Sequence, residues 1–535
     1  MSARAPGISV HRNFFSKVTF MIAQKKIMLL SPPSLTHRTP EENLGLEYLA
    51  AELLDKGHTV NYLDAYMQRL TDNETVNEII KYVPDVLGMS PSMDSFLNCQ
   101  EIIKGIKKRG FTGIIVMGGV YASFESNKLL LAFPGNPDII LRGETDSTFL
   151  GLIEGKPFES LPGAIYLKNG GIVANPISFT PVSLNSLPLP VRPTFSLVRK
   201  YKTPSHVMGS RGCYGNCSFC SVSSFQKFSS SEKWRGRDPK SLVSELKKLS
   251  EKGETMVKFI DDNFFGGGNK EREKEFAKLL INSGIKIRFR LSLRVDDVDK
   301  DTISLLKKAG LFAVSIGVES FVQRKLNDFG KGTTVKQNMK ALNILKANNV
   351  FVQMGHIMFD PYIKIDEIKK ELYYLDVYSW AVTKGICTKL FAAEGTKITE
   401  KIRGEIGFVG KEGTNNNYDI VDPGARAFYE ACRLWARNNS FLYDMAIDPI
   451  SAPKNISHKE LVKFHKICVE LKKYDFIVAG RLLEEIDSSS GRELKDTISS
   501  ALVEYSSVLE SVRRKIDNLY RDNGLTKPFI INARI

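Results

Sequence analysis

The chain lacks any run of about eighteen apolar residues, the length a bilayer-spanning helix requires, so no membrane partner is expected. Residues 1–24 hold Arg4, His11, Arg12 and Lys17 and no acid, and they lack the apolar stretch of a secretory signal. They read as a disordered basic arm, a weak organelle-targeting sequence, or an extension upstream of a start at Met21. Cysteine is scarce, seven in 535 residues, and Cys99, Cys387, Cys432 and Cys468 stand apart from one another. That excludes a disulfide framework and fits a reducing, cytoplasmic setting. Gly266-Gly267-Gly268 has no Gly-Lys-Ser/Thr behind it, so it reads as a flexible strand-to-helix turn and not a phosphate-binding loop. Positive charge is in excess, with a net of +15. The basic residues, such as Lys247-Lys248 and Lys307-Lys308, alternate with acids along helical segments, which describes a solvated surface better than a nucleic-acid groove. His206 and His356 fall within or beside strands and read as core or cavity residues.

The remaining three cysteines, Cys213, Cys217 and Cys220, lie within eight residues in a C-x3-C-x2-C pattern. A structural zinc site, the alternative, would pair C-x2-C with a second Cys/His pair, and none is visible. Iron–sulfur clusters are held by thiolates, normally four for a [4Fe–4S] cube. Three ligands from one loop leave one iron open for chemistry.

Length and hydrophobic patterning divide the chain into several domains of α/β class. Strands at 27–30, 60–63, 86–89, 113–117 and 139–141 alternate with helices at 43–56, 74–82, 100–109 and 126–132. This makes residues 25–155 a Rossmann-like parallel sheet with ligands at its strand ends. Residues 156–203 form a proline-punctuated linker with a small hairpin across Asn169-Gly170 and no chemistry of its own. A second series over 204–395, with strands at 205–209, 257–260, 287–291, 313–317, 350–358 and 386–390, predicts a partial (β/α)6 barrel of TIM type. Residues 396–535 read as amphipathic helices at 425–438, 457–473 and 493–520, a cap or substrate domain.

The cysteine loop, with Phe219 before its third cysteine, resembles the signature of the radical S-adenosylmethionine (radical SAM) superfamily. That resemblance implies a [4Fe–4S] cluster on Cys213, Cys217 and Cys220 whose open iron chelates SAM and delivers the electron that splits it. It also implies SAM contacts at Phe219, Asp261, Asp262, Asn263, Arg294, Ser315, Gly317 and Glu319; Phe359-Asp360-Pro361 replaces the usual glycine-rich turn after the fifth strand. The strand-end loops of residues 25–155, with the helix around Leu44–Ala50, resemble the cobalamin-binding domain fused to one class of these enzymes. The cobalamin contacts implied are Ser31, Pro32, Asp64, Ser90, Ser92, Gly118, Gly119, Tyr121, Arg142, Gly143 and Glu144. No Asp-x-His-x-x-Gly occurs, so no histidine is placed to ligate cobalt, and Tyr121 stands where relatives often carry histidine. A Rossmann-like domain without a ligand is the other reading of this region.

Together the resemblances imply a cobalamin-dependent radical SAM methyltransferase. It would act on an unactivated carbon, or on phosphorus, of a small molecule or peptide, with a flavodoxin or ferredoxin as electron donor. Radical cyclisation, ring contraction or rearrangement without methyl transfer is the alternative. A cobalamin- or redox-responsive binding protein is the alternative of another class. The further cluster cysteines of an RNA methylthiotransferase are absent, and no catalytic residue beyond the cofactor ligands is assigned.

Overall fold

The computed structural model describes residues 24–34, 39–131, 136–178, 182–229, 232–409, 417–451, 454–486 and 491–528; nearly all of the expected N-terminal arm lies outside them. The first sheet contains β1 (Lys26–Ser31), β2 (Thr59–Asp64), β3 (Val86–Met89), β4 (Ile114–Met117), β5 (Ile139–Leu141), β6 (Ala164–Lys168) and β7 (Gly171–Ala174) in the order β2-β1-β3-β4-β5-β6-β7. Its first five strands are parallel, and helices cover both faces. The strands are therefore buried on both sides and nearly all apolar, β1 reading Ile27, Met28, Leu29 and Leu30 without alternation. Local signals set the helix starts. The Asn43 side chain accepts from Leu46 N ahead of Leu44–Asp55, and Thr71 and Glu74 close a capping box ahead of Asp72–Tyr82.

The hairpin expected in the linker forms, but it belongs to this sheet: β6 pairs antiparallel with β5, and β7 with β6. Arg142 secures the junction by donating to the carbonyls of Gly163 and Asn175 at 3.0 and 2.8 Å.

Three short strands bracket the cysteine loop: β8 (Ser205–Val207), β9 (Ser210–Gly212) and β10 (Trp234–Gly236), with β9 and β10 forming an antiparallel pair. The barrel wall continues with β11 (Met256–Phe259), β12 (Arg288–Arg294), β13 (Leu311–Glu319) and β14 (Phe351–His356), a parallel sheet in the order β14-β13-β12-β11-β8. The sixth strand expected at 386–390 is present only as isolated parallel bridges, Gln353 to Val382 and Phe359 to Lys389. Its backbone departs from the wall between them.

The expected C-terminal helices are present as Pro423–Ser451, His458–Glu485, Gly491–Glu504 and Ser506–Asp522. Leu442, Ala446, Phe464 and Leu471 pack on Met256, Phe312 and Phe351 at the amino ends of β11, β13 and β14, and so cover the barrel floor. Phe428, Trp435 and Leu482 share one core with Phe359, Ile368 and Tyr378 and plug the open side next to β14. The broken strand wall exposes an apolar edge there, and burying that edge is what these amphipathic helices do. The helix expected over 493–520 is broken at Tyr505. The short helix Lys397–Glu405 stands at the mouth, where Ile398 N donates to Ser218 O at 3.0 Å.

Candidate active site

The three cysteines leave β9 at the carboxyl end of the barrel wall, and Cys220 immediately precedes the helix Ser221–Phe228. Gly212 begins the loop at φ +86°, and a Cβ there would lie 2.4 Å from Lys233 O. Cys217 is buried, and Cys213 and Cys220 are half-buried. Ser223 Oγ donates to the carbonyls of Cys217 and Cys220, Ser218 N donates to Phe329 O, and Gly215 N points at Cys213 Sγ from 3.4 Å. Burial pushes the Cys213 thiol up to about 11, against the pull of the Gly215 N–H and Arg294, and raises Cys220 as well. Thiols so perturbed stay protonated until a metal displaces the proton, as a coordinating metal does. Among the described residues no three His, Cys, Asp or Glu side chains already stand in metal-ligand geometry, so the three cysteines share a loop and feel one another's charge without being pre-folded into a cage. What fits the cluster is the chemistry of the set: three thiols on one short loop under a cationic Arg294.

The strand-end residues divide by role. Asp262 opens into the interdomain cavity, where enclosing walls raise its carboxyl to about 6 and the Gly212 N–H resists the rise. Its carboxylate oxygens can accept from an ammonium group. Asp261 and Asn263 turn inward. Asp261 Oδ1 accepts from Gly209 N at 2.7 Å, and Asn263 donates to Phe265 O and Asp297 while its own carbonyl receives Ser210 and Trp234. They brace the cysteine loop from below. Arg294 is occupied too: it pairs with Asp296, donates to Lys331 O at 2.7 Å and reaches Cys217 Sγ at 3.6 Å. Its guanidinium faces the cysteine loop.

Glu319 sits at φ +64°, a region bulky residues avoid, beside a register shift in the β13–β14 pairing, and binds Lys331 Nζ at 3.0 Å. A Cβ on Gly317 would fall 2.4 Å from Glu319 Oε1 and 2.6 Å from Lys331 Nζ, so the glycine makes room for that ion pair. Ser315 lies on β13 opposite Ser292, half-buried. Phe219 stacks edge-on against Phe329, ring centres 5.3 Å apart.

Between the two α/β domains lies a cavity of about 590 Å³, within the range of cofactor sites. One wall comes from the carboxyl ends of β1, β3, β4 and β5 and from the start of the helix Leu44–Asp55. The other comes from Met208, Gly212, Ser221, Val222, Phe225 and Asp262. Of the residues expected at cobalamin, Ser90, Gly118, Gly119, Gly143 and Glu144 line this space. Gly119 has φ +96° and ψ 179°, which glycine alone adopts with ease, and a Cβ there would stand 3.2 Å from Ser90 Oγ. That is a cradle stripped of side chains, and it fits a broad flat ligand.

Ser31, Pro32, Asp64, Ser92, Tyr121 and Arg142 do not line it. Asp64 caps Ala65–Gln68 by accepting from Met67 N at 2.9 Å, Ser92 hydrogen-bonds Ser95, Tyr121 packs against Phe96, and Arg142 holds the hairpin. Gly45, Gly88, Thr145 and Phe149 line the space and were not anticipated individually; the helix containing Gly45 was, and an isolated strand glycine such as Gly88 is a signal of close approach that could have been used. Among the described residues none that lines it is a histidine.

Charged pairs lock the two walls together. Arg211 on β9 binds Asp146, Arg235 on β10 binds Glu144, and the linker residue Arg192 bridges Glu42 to Glu245, with Arg237 on the far side of Glu245. The Glu42, Arg192 and Glu245 side chains are at most 5% exposed. The linker is therefore part of the joint.

A glycine-lined Rossmann-like sheet facing a thiol loop on a partial barrel defines a two-cofactor enzyme class. Residues 207–372 match the radical SAM superfamily model and residues 35–153 the B12 binding domain model. The chain is 30% identical over 363 residues to an uncharacterised methyltransferase of Pyrococcus horikoshii, covering 65% of this chain and 76% of that one. It is 28% identical over 381 residues to the anaerobic magnesium-protoporphyrin IX monomethyl ester cyclase of Synechocystis sp., covering 65% and 72%. The fold matches that of the cobalamin-dependent SAM radical enzyme OxsB with aqua-cobalamin bound, at TM-score 0.74 and 18% identity over 95% of this chain and 82% of the other.

The chain belongs to the cobalamin-binding radical SAM family. It is a cobalamin-dependent radical SAM enzyme, and its cofactors are a [4Fe–4S] cluster, SAM and cobalamin. Among the described residues no helix is long and apolar enough to cross a membrane.

Proposed function

We propose that this enzyme transfers a methyl group to an unactivated carbon, or to phosphorus, of a small molecule or peptide. The observation that carries the reading is the shared cavity: the cysteine-loop helix and the glycine cradle form opposite walls of one enclosure. Bound there, the cofactors would supply radical generation and a methyl carrier.

The protein's own part is placement and exclusion. Cys213, Cys217 and Cys220 hold the cluster, with Arg294 steadying the loop through Cys217 and Asp296. Asp262 accepts from the ammonium of SAM, and Phe219 packs beside the loop. Leu44, Val222 and Phe225 make the cavity walls apolar and keep water from the reacting centre. A one-electron donor of flavodoxin or ferredoxin type would supply the electron the cluster chemistry needs. The name of the Pyrococcus relative supports methylation, while that of the Synechocystis relative supports ring formation as a second reading.

The deciding experiment is anaerobic turnover of the protein loaded with iron, sulfide and cobalamin. 5′-Deoxyadenosine appearing together with S-adenosylhomocysteine and a methylated product is the expected result. Deoxyadenosine without S-adenosylhomocysteine would overturn methylation in favour of rearrangement.

A further inference from the structure

The helix Ser221–Phe228 separates two cavities. Ser221, Val222, Phe225 and Gln226 face the space shared with the N-terminal domain, while Ser223, Ser224, Lys227 and Phe228 face a second space of about 470 Å³. Phe124, Glu394, Gly395 and Lys397 complete the second one, so three parts of the chain build it. Their arrangement is close-fitting. A Cβ on Gly395 would lie 2.3 Å from the Phe124 ring, and that ring packs against Phe228 with centres 5.5 Å apart.

The charges here are placed against the usual preference. Lys227 and Lys397 come from different helices to line the same space, both exposed, and Lys397 drives the Lys227 pKa below its ordinary value, with desolvation and Lys233 adding to the effect. Lys397 is also the first residue of its helix, where the macrodipole favours an anion and opposes a cation. Glu394, the acid in the same space, is held by Arg403 at 2.9 Å. Among the described residues neither lysine takes part in an ion pair.

We propose that this second cavity is a subsite for a phosphomonoester carried by the substrate, gripped by Lys227, Lys397 and the Ser224 hydroxyl with its organic part against Phe124 and Phe228. Two ammonium groups match the charge of about −1.5 to −2 on a phosphomonoester at neutral pH better than the single charge of a carboxylate. The apolar floor calls for a ligand whose phosphate is attached to a carbon framework. Because the helix that walls the first cavity also walls this one, the grip would anchor the substrate beside that cavity. The inference deepens the small-molecule reading above and rests on it for the destination of the bound group.

The test uses the cluster- and cobalamin-loaded protein without SAM, so no turnover is involved. Phenyl phosphate, benzoate and phenol are titrated calorimetrically into the wild type, K227Q/K397Q and K227R/K397R. Phenyl phosphate is expected to bind the wild type, to be competed by inorganic phosphate, and to weaken about 10-fold for each lysine removed, the worth of one charge-assisted hydrogen bond. The arginine variant retains binding, and benzoate binds more weakly than phenyl phosphate. Thermal unfolding of K227Q/K397Q at or above the wild-type temperature shows that the fold is intact. Equal affinity in wild type and K227Q/K397Q, or no binding by the wild type, overturns the subsite. So does a response to these substitutions only in the docking of reduced flavodoxin, which would make the lysines a donor surface. Phosphate binding that stands while turnover yields no S-adenosylhomocysteine leaves the subsite in place and removes methylation.

Discussion

Arg211 holds Asp146 across the domain seam with two N–H···O bonds of 3.0 Å each. Burial alone would raise the Asp146 carboxyl, but the guanidinium outweighs it and keeps the group below the usual range. The pair ties β9, which leads into the cysteine loop, to the loop that carries Glu144. Replacing Arg211 with Gln leaves Asp146 enclosed without its partner. The expected cost is about 2–3 kcal/mol, less than for a fully buried pair because both side chains retain some exposure. Thermal unfolding measures it, and cobalamin retained after gel filtration is expected to fall in parallel.

Gly119→Ala tests the cradle. The added methyl meets Ser90 Oγ, and the backbone has a positive φ, costing about 1–2 kcal/mol in strain. Bound cobalamin, read from its visible absorbance, is expected to drop at least about 10-fold. Iron and sulfide content stay unchanged, because the cysteine loop stands on the opposite wall.

A pH dependence follows from Glu47. Burial pushes its carboxyl up to about 8, and neighbouring Glu42 adds to the rise while Thr194 opposes it by donating at 2.8 Å. Between the ordinary value near 4.5 and about 8, the folded protein keeps a proton that the unfolded chain has released. Stability therefore falls as pH rises through that window and levels off above it. Glu47→Gln is expected to unfold like the wild type near pH 4.5 and to be more stable by at least about 1 kcal/mol at pH 8.5. A constant difference at both pH values would refute this.

Lys325 lies fully buried at the mouth of the barrel, 3.2 Å from Glu371, and donates to the carbonyls of Ile357 and Met358. With His356 also on it, Glu371 is held down to about 2 against the pull of burial. Lys325→Met strands that carboxylate and is expected to cost about 3–5 kcal/mol in chemical denaturation.

Much of the architecture was legible because its signals are local. Apolar runs of strand length alternate with 3.6-residue periodicity, and Asn43 marks a helix start. The cysteine spacing and the Gly118-Gly119 pair likewise carry their chemistry on their face. What stayed hidden depends on direction. At a strand end, Asp261, Asp262 and Asn263 are equivalent in sequence; alternation turned one toward the cavity and the others into the braces beneath the loop. Asp64 and Ser92 resemble ligand contacts until their partners, Met67 N and the Ser95 hydroxyl, are seen. The C-terminal helices were visible as helices, but the surface they cover depends on where the sixth strand fails, and no local pattern encodes that.

The seam also determines what counts as a unit. Glu42 and Glu47 belong to one half of the molecule, Glu245 and Arg237 to the other, and Arg192 to the connector. With Glu47 protonated, two carboxylates face two guanidiniums, and Arg192 joins them by reaching Glu42 on one side and Glu245 on the other. A chain that divides cleanly in its sequence is thus indivisible in its energetics. Severed near residue 203, the chain would part Arg211 from Asp146 and Arg235 from Glu144, and the intact protein is expected to melt in one transition shared by both domains.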